Sequence, residues 1–184
     1  MSLKLFISAI TKFLLGVILV GLLLFLPAGT INWFGGWLFM ALLFIPMFLA
    51  GIVMMIKNPG LLASRLDAKE KRGKQSIVVK LSGLMFIAGF GVAGLDFRFN
   101  WFTVPKGVVI GGTIVFLIAY LLYAEVLKEN TYLSRTIEVQ KNQKVIDTGL
   151  YSIVRHPMYS ATLLLFLSMP LVLGSIYSFL IFLA

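Results

Sequence analysis

A chain of 184 residues that is 60% apolar and 12% charged lies well above the apolar share of about 45–50% usual for soluble domains, and reads as a polytopic membrane protein. With no cysteine and a single histidine, it has no means of forming disulfides, thiolate or His-rich metal sites, or a cysteine nucleophile, and no metal is expected. The net charge of +9 would suit a nucleic-acid partner, but the basic residues lie in loops between apolar runs, the pattern of cytoplasm-facing loops, so no nucleic-acid binding is expected.

Residues 5–26 form a first apolar run, interrupted by Lys12 and long enough to cross about 30 Å of hydrocarbon. No small-residue cleavage site follows Met1-Ser2-Leu3-Lys4, so this segment is expected to be retained. Pro27-Ala28-Gly29-Thr30 ends it. Trp33, Phe34 and Trp37 fall where an aromatic belt would anchor a second span, 34–56, which Pro46 is expected to kink. A basic loop from Lys57 to Lys80 follows, read as a topology signal and a contact for lipid headgroups. The third span, 77–95, is rich in small residues (Ser82, Gly83, Ala88, Gly89, Gly91, Ala93, Gly94), which predicts close helix approach rather than a ligand groove. A short aromatic loop with Asp96, Arg98 and Lys106 leads to a fourth span, 107–127. Fourteen of the sixteen basic residues lie outside the two external loops, which places the amino terminus, the basic loop and the segment after the fourth span together in the cytoplasm.

That last segment is the other polar part of the chain. Residues 136–146 weakly suggest a small hairpin, Gly149 breaks the chain, and Pro157 suits the first turn of a helix because it has no N–H to leave unpaired. A helix from Pro157 to Leu173 would rise only about 25 Å. Pro170 with Gly174-Ser175 then offers a turn, and Ile176 to Ala184 would be a partial returning helix. A single kinked span from Pro157 to Ala184 is an equal alternative, because it avoids leaving a carboxylate inside hydrocarbon. The fold expected is therefore all-α, a polytopic transmembrane bundle of four spans plus a final helix or partial helical hairpin, in one domain covering 1–184.

The only histidine lies in Gly149-Leu150-Tyr151-Ser152-Ile153-Val154-Arg155-His156-Pro157-Met158-Tyr159, ahead of an apolar helix. This run resembles the isoprenylcysteine carboxyl methyltransferase family and its phospholipid methyltransferase relatives, with the likeness extending over about 136–175. The resemblance implies an S-adenosylmethionine site at the cytoplasmic surface, formed by Gln143, Lys144, Val145, Ile146, Tyr151, His156, Pro157, Met158 and Tyr159. A lipid-like or prenylated substrate would enter from the bilayer. It also favours the hairpin near Gly174-Ser175. Gln143 stands where relatives often carry histidine; it keeps hydrogen-bonding capacity but does not titrate. The family's carboxy-terminal Arg and paired Glu have no counterpart before Ala184, so weak cofactor binding and little turnover are expected of these 184 residues.

The residue types suit methyl transfer in their own right. A sulfonium donor and a carboxylate lose charge together, so a water-poor site favours the reaction and orientation supplies most of the acceleration. Tyr151 and Tyr159 are candidates for stacking or cation–π contact, or equally interfacial anchors. His156 is a candidate hydrogen-bond partner, a base toward an amine acceptor, or a helix-start residue paired to backbone. Arg155 is a candidate for substrate binding or a topology anchor. No catalytic residue is assigned. Glu125 and Glu129 share a helical face, but without further ligands are read as solvated or paired with Lys128. The alternatives to an enzyme are a non-catalytic membrane scaffold and a small transporter, for which Lys12 and Pro46 are the only support. A prokaryotic cytoplasmic membrane is the default location; oligomeric state is not readable.

Overall fold

The computed structural model describes residues 3–66, 73–130 and 148–183. Helix α1 (Leu3–Ala28) and α2 (Phe34–Lys57) are followed by a short α3 (Pro59–Leu66), then α4 (Gly73–Phe99), α5 (Lys106–Glu129), a single turn α6 (Leu150–Ile153), α7 (Pro157–Leu173) and α8 (Ile176–Leu183). Of these, α1, α2, α4 and α5 are long and apolar enough to cross a membrane, as the all-α bundle reading requires. The weak hairpin expected at 136–146 lies outside the described residues.

Lipid tails are as apolar as leucine, so it is shape that holds such a bundle together. Small residues do this at two contacts. A Cβ at Gly94 would lie 2.5 Å from the Leu24 carbonyl oxygen and 3.0 Å from the Ala28 nitrogen, so α4 meets the α1 backbone directly. On α5 a Cβ at Gly112 would come within 2.6 Å of Leu171 Cβ on α7. Gly83 and Gly91, in contrast, face open space, so only part of the small-residue run in α4 serves packing. Between these contacts sits an aromatic core. Phe39 of α2 lies 5.4 Å from Phe90 and 6.1 Å from Phe116, centroid to centroid.

The structure takes the hairpin reading at the carboxy-terminal end. Gly174 has φ 72°, and the Gly174 N–H donates to Leu171 O at 3.1 Å while the Ser175 N–H donates to Pro170 O at 3.0 Å. This is a Schellman cap, whose left-handed position favours glycine. Beyond it the chain doubles back, because Phe166 of α7 and Phe182 of α8 both pack on Phe86 of α4, at 4.9 and 5.4 Å. The turn is fixed to α4 by a buried carboxylate. Asp96 Oδ2 accepts the Ser175 hydroxyl at 2.6 Å and Oδ1 accepts the Phe102 N–H at 3.2 Å.

Two sequence expectations acquire different roles. Trp33 is buried rather than interfacial, stacked on Phe97 at 4.9 Å, because Gly36 leaves room for its indole: a Cβ there would meet Trp33 Cε3 at 2.8 Å. Trp37 stays half-exposed and donates to Ile31 O at 2.8 Å, as an anchor should. Pro46 sits inside a continuous α2. The Tyr120 hydroxyl donates to Leu43 O at 2.7 Å, next to Leu42, whose carbonyl the proline cannot engage; such side-chain donors let spans tolerate proline.

Candidate functional site

The bundle has two chemically different ends. At one, Trp33–Phe97 and Asp96–Ser175 close the structure. At the other, polar contacts converge. Lys12 Nζ of α1 donates to Leu66 O, the last residue of α3, at 2.6 Å, a cation at a helix carboxy terminus. Arg65 of α3 hydrogen-bonds the Tyr123 hydroxyl of α5 and lies 5.5 Å over its ring. Lys12 thus acts as a clasp on α3, which removes part of the support for a transporter reading. Two turns further along α5, Glu129 and Asn130 meet the segment that leads into α7.

That segment is built by local rules. The Tyr151 N–H donates to Thr148 O at 3.0 Å, closing a turn in which Gly149 takes φ 55° and ψ −125°. This is the first central position of a type II′ turn, where glycine is required. The single turn α6 follows, and the Val154 N–H donates to Leu150 O at 3.0 Å to finish it. Val154 is extended, and His156 becomes the N-cap of α7 with Pro157 at its first position. The His156 side chain makes no capping bond. It turns instead to Tyr159, three residues on and on the same face, with ring centroids 5.3 Å apart.

The candidate residues are therefore partly brought together. His156 and Tyr159 form an exposed aromatic pair, Tyr159 with 68% of its surface open. Pro157 is buried and Met158 half-buried. Arg155 is exposed and has no ion pair among the described residues. Tyr151 is half-buried, and its hydroxyl accepts the Asn130 side-chain amide at 2.9 Å, so its outer end is tied to α5. Gln143, Lys144, Val145 and Ile146 lie outside the described residues. Exposed Ile153 and Val154 give the segment an apolar rim.

The two carboxylates of α5 go to different partners. Glu125 pairs with Lys128 at 3.2 Å. Glu129 reaches the segment itself, its Oε2 accepting the Leu150 N–H at 3.1 Å. Sequence reasoning missed Asn130 altogether and weighed Glu129 only as a metal ligand, a solvated group or a partner of Lys128. The sequence distance of 21 residues between each partner pair exceeds any helical or hairpin spacing, and so left no periodic signal.

No curated protein and no solved structure matches the chain. Residues 107–184, which run from the start of α5 through the hairpin and include the whole His156 segment, match the phospholipid methyltransferase family model, and this supports a membrane methyltransferase.

Proposed function

We propose that the protein is an S-adenosylmethionine-dependent methyltransferase of the membrane, acting on a lipid-like acceptor at the end of the bundle where His156 lies. The observation that carries this reading is the exposed His156–Tyr159 pair at the start of α7, inside the region that matches the family model. The described residues suit the cofactor's chemistry: two open aromatic faces for a purine or a sulfonium, an imidazole with no hydrogen-bond partner among the described residues, and the neighbouring Met158. Gln143, Lys144, Val145 and Ile146 are proposed to complete the site, with Tyr151 tied to Asn130.

S-adenosylmethionine supplies a methyl group on a cationic sulfur, and its transfer to a carboxylate oxygen breaks the C–S bond, forms a C–O bond and removes both charges. The chain's own contribution is then orientation and exclusion of water. Tyr159 and His156 offer ring faces three residues apart on one helix, a rigid base for holding a planar group. Ile153 and Val154 present hydrocarbon where an acceptor's tail would lie, keeping water from the reacting atoms. No general base is needed for a carboxylate acceptor, such as that of an isoprenylcysteine. With an amine acceptor a proton must leave, and His156 would take it.

The amine case is the second reading, favoured by the name of the matching family, which acts on phospholipids. The amino terminus and the His156 end are proposed to face the cytoplasm, and the bilayer is the proposed source of the acceptor. Methyl-labelled S-adenosylmethionine given to membranes containing the protein tests the function. Label in organic-extractable product is expected at the low level that little turnover implies, and a prenylcysteine analogue set against phosphatidylethanolamine separates the two acceptors. No label above membranes lacking the protein, with either acceptor, would refute the reading.

A further inference from the structure

We propose that Glu129 is a positioning residue that fixes residues 148–156 against α5 and so sets where His156 is presented. This rests on the reading of that segment as the cofactor site. Packing of α7 on α5 leaves the segment before α7 largely uncovered. Ser152, Ile153, Val154, Arg155 and His156 are all exposed, and α6 is a single turn. Among the described residues, the hydrogen bonds that join the segment to another element are Glu129 to Leu150 N at 3.1 Å and Asn130 to the Tyr151 hydroxyl at 2.9 Å. Both come from the last turn of α5 and its cap, so one helix end holds two successive residues of the turn.

The fit at Gly149 makes the contact specific. A Cβ there would overlap the Glu129 carboxylate, with Oε2 only 2.6 Å away. The carboxylate therefore lies against the bare glycine backbone while it accepts the next residue's N–H. Glycine is thus required twice, by φ 55° and by the carboxylate. Leu150 N–H is one of the donors that a helix start leaves unpaired, and an ionised acceptor bonds it more strongly than a neutral one.

The test compares Glu129→Ala, Glu129→Gln and Glu125→Ala in the full 184-residue chain, reading amide hydrogen exchange and S-adenosylmethionine affinity side by side. Glu129→Ala should speed exchange across Leu150–Ile153 by about tenfold and weaken cofactor binding by about five- to tenfold, within the range expected for the loss of one hydrogen bond. Glu129→Gln keeps a carbonyl acceptor and should restore both to within about threefold of the parent, as expected when the acceptor matters more than its charge. Glu125→Ala should change neither. Exchange unaltered in Glu129→Ala overturns the proposal whatever the cofactor does. Faster exchange with affinity intact also overturns it, leaving a contact that is structural only. If the parent chain shows no saturable cofactor binding while exchange follows the expected pattern, the cofactor reading fails and the clamp on the segment stands.

Discussion

Asp96 is the strongest single test of how the bundle is assembled. It is 3% exposed and ties α4 to the α7–α8 turn through Ser175, 2% exposed, and to the loop between α4 and α5 through Phe102. In Asp96→Ala both donors lose their acceptor, but not at equal cost. The Ser175 hydroxyl is sealed, so its loss should approach the full penalty for an unsatisfied buried group, about 1–3 kcal/mol. Phe102 is half-exposed, and its N–H can turn to water, adding well under about 1 kcal/mol. The sum is about 1–4 kcal/mol of lost stability. Asp96→Asn keeps one carbonyl oxygen and should lose about half as much. Equilibrium unfolding by sodium dodecyl sulfate in mixed micelles measures both, and a cycle with Ser175→Ala should give a coupling of about 1–2 kcal/mol. If the two substitutions are additive within about 0.5 kcal/mol, the hydrogen bond is not what secures the hairpin.

Gly94→Leu places atoms against the α1 backbone at Leu24 and Ala28, which cannot rotate away, and should cost at least about 2 kcal/mol, whereas Gly91→Leu, facing open space, should cost less than about 0.5 kcal/mol in the same unfolding assay. Ser178→Ala removes a buried hydroxyl with no hydrogen-bond partner among the described residues, and should leave stability unchanged or raise it by up to about 1 kcal/mol. Cysteines placed at Lys71 and Lys141 should be protected from an impermeant maleimide in intact cells and labelled after permeabilisation, if both face the cytoplasm; labelling of both in intact cells would reverse that arrangement.

The spans were legible because length and hydropathy are written locally: the starts of α2 and α7 fall where the aromatic pair and Pro157 point. The ending was not. Gly174-Ser175 announces a turn, yet whether the chain doubles back depends on Asp96, 79 residues earlier, and on Phe182 meeting Phe86. Trp33 and Trp37 look alike in sequence, and only the space above Gly36 sends one inward. The same holds at the candidate site. His156, Pro157 and Tyr159 form a contiguous motif and can be read directly, while the hold on Tyr151 and Leu150 comes from Asn130 and Glu129 on another helix. Lys12 in a span suggests transport until Leu66 O is found beside it.

The central claim is that the His156 segment binds S-adenosylmethionine, and the most direct measurement is equilibrium binding of the labelled cofactor to the purified protein in detergent, parent against His156→Ala and Tyr159→Ala. Neither side chain caps or seals the bundle, so both variants should keep the parent's helical content and unfolding midpoint. Saturable binding is expected for the parent, weakened about five- to a hundredfold in each variant, as the loss of one contact of about 1–3 kcal/mol requires. Binding of equal strength in all three proteins would contradict the account and return His156 and Tyr159 to the role of interfacial anchors.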